Sequence, residues 1–252
     1  MPVSIYMGEG VMPLPLPGRR LTAADILCTP WDETTSIFIM PGGRDRPYHA
    51  ALQGEGCRRI RTFVEKGGTY LGICAGAYFG AERVEFDQGF PLEVCEKREL
   101  GFFRGAAVGP AYGKGTFDYA SNRGARAAKL SSEYGTFHAY YNGGATFEGD
   151  LSNCRILARY AELPGAPPAI IECQIGKGKA ILSGVHLETA FASLDPRDPH
   201  LTPIIPLLKS SETMRNHFWE TLFSDFREAA LALPSSRVSV DLRIASFSAT
   251  MT

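Results

Sequence analysis

The stretch TYLGICAGAYFG, residues 69–80, constrains the fold more tightly than any other part of the sequence. Its first half is short, apolar and rich in β-formers, which reads as a buried strand. It runs into Gly72–Ile73–Cys74–Ala75–Gly76, a G-x-C-x-G motif and the thiol counterpart of a nucleophile elbow. A strand that turns straight into a helix strains its corner residue, and a nearby Cβ on either flank would clash. Glycine at both flanking positions relieves that crowding. The corner side chain is then lifted above the carboxyl edge of a sheet. It also lies at a helix N-terminus, whose unpaired N–H groups favour a thiolate.

The flanking sequence extends the pattern. VSIY (3–6) and SIFIM (36–40) also read as buried strands. Between SIFIM and TYLGI, the segment YHAALQGEGCRRIRTFVEKGG places Ile60, Phe63 and Val64 at helical spacing, with Gly67–Gly68 as the stop. Strand, helix and strand in that order predict a parallel sheet with helical crossovers. Farther on, ELGFFRGAAVG, GTFDYA, FHAYYNGG and CRILARYA have β character, and PAIIECQIGKGKAILSGVH reads as a hairpin turning at IGKGK. SSETMRNHFWETLFSDFREAALAL predicts a helix whose apolar stripe is Met214, Phe218, Leu222, Phe226 and Leu233. Residues 1–233 are expected to form one domain, and residues 234–252 a tail that is an edge strand or disordered.

Composition narrows the function classes. The formal net charge is −1, and no basic cluster exceeds the pairs Arg19–Arg20 and Arg58–Arg59. Nucleic acid and membrane partners are therefore not expected. No apolar run approaches the roughly 18 residues of a spanning helix. The first residues lack a basic n-region, so a secretory signal is not expected and a cytoplasmic protein is. The cysteines at 28, 57, 74, 95, 154 and 173 show no C-x-x-C pair and no histidine cluster, which reads as reduced thiols without a metal site. No phosphate-cradling glycine loop occurs, and no cofactor is expected.

A reactive Cys74 needs a base. Of the histidines at 49, 138, 186, 200 and 217, His186 ends the apolar run AILSGV and is followed by Glu188. At positions i and i+2 of an extended segment both side chains point to one side. A carboxylate there would fix the imidazole tautomer and raise its basicity. His138, in a predicted strand, is the weaker candidate. Gly42 and Gly43 follow the strand IFIM directly, and with Ala75 they are candidates for an oxyanion hole.

Taken in order, FIMPGGRDRPY, GEGCRRIRTFVEKGGTYLGICAGAYFG, RELGFF, YYNGG and ILSGVHLE resemble the N-terminal domain of eukaryotic-type biotin-protein ligases, which is related to class I glutamine amidotransferases. The resemblance runs from about residue 3 to residue 226. It implies a flavodoxin-like α/β three-layer sandwich with a mostly parallel central sheet, in which Cys74 is the nucleophile, His186 the base and Glu188 the orienting acid. Tyr141, Asn142 and Gly143 fall where related amidotransferases line the substrate pocket. Three departures matter. The glutamine that usually follows the nucleophile in G-x-C-x-G-x-Q is replaced by Tyr78, which is placed with the substrate contacts. Only some 30 residues separate the first strand from SIFIM, so one strand–helix unit reads as trimmed. The glycine–arginine-rich adenylate loop of a biotin ligase is absent, so the chain alone is not expected to attach biotin.

Two functions follow as expectations. One is a cysteine-dependent amidohydrolase acting through an acyl-enzyme on a small-molecule amide or ester. The other is a non-catalytic binding or regulatory domain that docks a biotin ligase domain, its acceptor protein or a small metabolite. An inward-facing acidic residue on the helix after the cysteine, Glu82 or Glu85, would instead indicate peptidase, glyoxalase or chaperone chemistry.

Overall fold

The computed structural model describes residues 2–7 and 18–222. Strands β1 (Val3–Tyr6), β2 (Arg19–Leu21), β3 (Ile37–Met40) and β4 (Thr69–Ile73) lie parallel in the order β2-β1-β3-β4. Helices α1 (Ala23–Cys28), α2 (Asp45–Leu52) and α3 (Glu55–Glu65) intervene along the chain, and α4 (Ala75–Gly80) leaves β4 through Cys74. Next, β5 (Ala81–Phe86), β6 (Val94–Lys97) and β7 (Phe103–Gly109) begin a separate sheet. The chain then adds β8 (Arg126–Ser132) and β9 (Gly135–Tyr141) to the far edge of the large sheet. With β10 (Thr146–Gly149) the small sheet is complete, in the order β10-β7-β5-β6. Strands β11 (Cys154–Tyr160), β12 (Pro168–Ile175) and β13 (Gly178–Ser183) finish the large sheet as β4-β13-β12-β11-β8-β9, and α5 (Ile205–Ser210) and α6 (Glu212–Thr221) follow.

The large sheet is therefore mixed. The parallel half, through the β4–β13 pair, carries Cys74, whereas every pairing from β13 to β9 is antiparallel. The cause is loop length: β12 and β13 are joined through two residues, Gly176 and Lys177, and so short a turn permits only an antiparallel partner.

Alternation sorts the residues of the central strands β3, β4 and β13 between two cores. Phe38, Met40, Tyr70, Ala180 and Leu182 pack with Trp31, Ile60, Phe63 and Val64 on one face. Ile37, Ile39, Leu71, Ile73 and Ile181 pack with Phe218, Trp219 and Leu222 on the other. The central strands are thus apolar on both sides, which is why they read as continuous hydrophobic runs. Each such fully buried large side chain contributes about 1.5–3 kcal/mol.

Several expectations change. The single helix expected after SIFIM is two, because Gly54 at φ +74°, ψ −108° breaks it between α2 and α3. The strand–helix unit read as trimmed is present but short, β2 being three residues and α1 six, with α1 opened by a capping box between Thr22 and Asp25. GTFDYA is loop, not strand. Phe226, Leu233 and the tail 234–252 lie outside the described residues. Among the described residues no helix is long and apolar enough to cross a membrane.

Candidate active site

Cys74 sits at the carboxyl end of β4 with φ +50° and ψ −105°, the turn the glycine spacing predicts. A Cβ on Gly76 would lie 2.0 Å from the Met40 carbonyl oxygen, and one on Gly72 would lie 2.4 Å from that of Gly76. No side chain is tolerated at either place. The N–H groups of Cys74 and Gly76 are committed to the carbonyls of Ser183 and Pro41. Tyr70 donates its hydroxyl proton to the Gly76 carbonyl at 2.7 Å. The corner is thereby stitched to β3 and β13 on both sides.

His186 lies three residues beyond the end of β13, in an isolated antiparallel bridge with Tyr140, rather than within the strand. Its backbone N–H donates to the Tyr140 carbonyl at 2.8 Å. The ring is 2% exposed, and its Nδ1 lies 2.7 Å from the Glu188 carboxylate, itself 4% exposed. Burial alone would push the imidazole pKa down. The Glu188 charge, together with hydrogen bonding to Cys74 and Glu188, outweighs burial and raises it to about 10. The imidazole Nε2 is buried and lacks a hydrogen-bond partner of regular geometry. The Cys74 thiol, 7% exposed, points toward the Asn142 carbonyl at 3.7 Å.

A cavity of about 400 Å³ opens beside the thiol. Ala75, Gly43, Tyr78, Asn142 and Gly143 line it, as does Asp45. The Asp45 carboxylate is held by Arg98, 2.8 Å from its Nε. Gly42 is not part of the lining; its carbonyl accepts from the Tyr48 hydroxyl at 2.7 Å. Tyr141 is a correction. It turns into the core, where its hydroxyl donates to the Gly144 carbonyl at 3.1 Å and its ring packs edge-on against Tyr112. Tyr78 forms cavity wall, with its hydroxyl donating to the Gly143 carbonyl at 3.0 Å. His138 lies elsewhere, 3.0 Å from the Ser211 hydroxyl. Glu82 and Glu85 are on β5 rather than a helix and stand outside the cavity, with Glu85 paired to Arg83.

The loop between β7 and β8 contributes residues that sequence reasoning missed. Phe117, Asp118, Tyr119, Ser121 and Asn122 all face the cavity. The aromatic alternation of GTFDYA imitates a strand. The turn residues bracketing it, Gly113, Gly115, Asn122 and Gly124, were the available signal for a loop. Asp87 accepts from the Gly115 N–H at 2.6 Å and Asp198 accepts from Asn122 at 2.7 Å, pinning both ends.

Among the described residues no cluster of three or more His, Cys, Asp or Glu side chains is arranged to hold a metal ion.

The family model described as "Biotin-protein ligase, N terminal" matches residues 19–243. An uncharacterized protein of Chlamydia muridarum is 42% identical over 188 residues, which are 73% of this chain and 72% of the relative. The biotin–protein ligase of Schizosaccharomyces pombe is 39% identical over 193 residues, 71% of this chain but 30% of that protein. The chain thus spans under a third of that ligase's length. Among solved structures, that of PurLQS from Thermotoga maritima aligns with a TM-score of 0.51 at 14% identity, covering 81% of this chain and 96% of that one. This likeness speaks for the fold alone.

Proposed function

The chain belongs to the biotin-protein ligase N-terminal family and has a glutamine amidotransferase-like α/β fold, and from that premise we propose that it is a cysteine-dependent amidohydrolase. The observation that supports the reading is the buried His186–Glu188 pair, 2.7 Å apart, near a thiol held at a strained corner over a cavity. A protonated imidazole favours the thiolate beside it. In the proposed cycle Cys74 Sγ bonds to an amide carbonyl carbon. The C–N bond then breaks as His186 Nε2 gives its proton to the leaving amine. Water next surrenders a proton to Nε2 and attacks the thioester, the C–S bond breaks, and the acid departs. The N–H groups of Ala75 and Gly43, both residues of the cavity wall, are assigned to the oxyanion. Glu188 keeps the ring in the Nδ1–H tautomer. The proposed setting is the cytoplasm, where thiols stay reduced.

The test is a panel of amides and esters offered to the wild type and to Cys74→Ala, with intact-protein mass spectrometry for the acyl-enzyme. Turnover and an acyl adduct confined to the wild type support the reading. Equal turnover by Cys74→Ala, or a thiol that iodoacetamide labels only in alkaline buffer, overturns it.

A second reading is favoured by Tyr78, which stands where amidotransferases usually carry a glutamine after the nucleophile, with its hydroxyl committed to Gly143. In it the domain is non-catalytic and docks a biotin ligase domain or the acceptor protein. Calorimetric binding to such a domain, undiminished in Cys74→Ala and without turnover of any amide, would select it.

A further inference from the structure

We propose that the acyl group taken up at Cys74 is an apolar chain ending in an anionic head, rather than the polar side chain of an amino acid. The inference rests on the hydrolase reading above and names the substrate class of the same site. One wall of the cavity is apolar: Val84, Phe86 and Val94 from the small sheet, and Phe117 from the loop after β7. Aromatic contacts run along it in sequence. Tyr78 meets Phe86 edge-on with centroids 5.6 Å apart, Phe86 meets Phe117 at 5.6 Å, and Phe117 meets Tyr119 at 4.7 Å. The series ends where the Arg44 guanidinium lies 4.3 Å from the Tyr119 ring centroid.

The charges at this cavity are not equally available. Asp45 is neutralised by Arg98. Asp118 accepts from the Ser121 hydroxyl at 2.8 Å and the Ala120 N–H at 3.0 Å, hydrogen bonds that favour its anionic form. Arg44 makes no ion pair with a carboxylate among the described residues, and it is exposed at the rim. A ligand filling this space therefore meets a row of rings and, over Tyr119, one cation that no carboxylate pairs among the described residues. An acyl chain covers the rings, and a carboxylate answers the fork of Arg44. Free glutamine would leave the aromatic wall bare.

The test uses coumarylamides of acetic, hexanoic, 5-carboxypentanoic and γ-glutamic acids. The 5-carboxypentanoyl amide is expected to exceed the hexanoyl amide in kcat/KM, and both to exceed the acetyl and γ-glutamyl amides by about tenfold or more. Arg44→Gln should bring the ratio of the first two to about one. Phe117→Ala should bring both long chains down toward acetyl. A γ-glutamyl or acetyl preference, or a carboxylate ratio that Arg44→Gln leaves unmoved, overturns the proposal. If no amide is turned over, calorimetry of hexanamide and adipic acid monoamide with Cys74→Ala separates the two inferences. Tighter binding of the monoamide, lost on adding Arg44→Gln, upholds the ligand class while the hydrolase reading falls. Binding of neither overturns the class as well.

Discussion

Cys74 holds a backbone conformation that an L-residue adopts only when its surroundings impose it, at a cost of order 1–3 kcal/mol. Glycine carries no such cost. Cys74→Gly is therefore expected to be more stable than Cys74→Ala by about 1 kcal/mol in urea unfolding, although both lack the thiol. Equal stabilities would mean that the corner is unstrained. His186 permits a second prediction. Its folded-state pKa of about 10 lies above the ordinary value near 6.5. Its stabilisation is thus fully present below about pH 6.5 and is lost as pH rises through about 10. The stability difference between wild type and His186→Gln should shrink by a few kcal/mol across that interval. A difference that stays flat, or grows, would mean that Glu188 does not hold the ring protonated.

Among the elements, α6 does more than cover the sheet. Arg215 on this helix is 2% exposed and donates from Nη1 to the Leu187 carbonyl, between His186 and Glu188. Buried so deeply, its own pKa is lowered by desolvation, offset by Glu212 and Glu188. Arg215→Met keeps the bulk and removes the donor, and it should slow iodoacetamide labelling of Cys74 at pH 6.5 by about tenfold, with partial recovery in Arg215→Lys. An unchanged labelling rate would reduce α6 to packing. This link was not legible in the sequence, because a helix stripe reveals which residues face the sheet and not which loop carbonyl one of them meets. What was legible is local. β4 begins and ends where TYLGI does, the IGKGK turn closes the β12–β13 hairpin, and the i,i+2 spacing brings His186 and Glu188 together. What was hidden depends on context. Gly54 breaks a helix whose apolar spacing runs on past it, β2 is three residues long with two arginines, and Arg44 meets Tyr119 across 75 positions of chain. Tyr141 and Asn142 are neighbours in YYNGG, yet only the second faces the cavity; on a strand end the last turn of the backbone decides which.

At the scale of the whole molecule, the large sheet separates two cores that share every central strand. Each core contains one of the chain's two tryptophans: Trp31 lies under α3 with Phe38 and Phe63, and Trp219 lies on α6 with Phe218 and Leu222. Alternate residues of β3, β4 and β13 belong to opposite cores, so neither side can lose its packing without stripping one face from the same strands. The described residues within 1–233 are accordingly proposed to unfold as one domain, with the turn between β4 and α4 inside that unit rather than on a separable lobe. Trp31→Phe leaves Trp219 fluorescence reporting the α6 side, and Trp219→Phe leaves Trp31 fluorescence reporting the α3 side. Within each variant, the fluorescence and far-ultraviolet dichroism midpoints in urea should coincide, because each emission then tracks the same loss of sheet. Should the α6 side of Trp31→Phe report a separate, earlier transition, the helix that carries Arg215 would be detaching before the sheet melts. Cys74 reactivity would then fall at that earlier midpoint instead of at global unfolding, and labelling along the same urea series distinguishes the two.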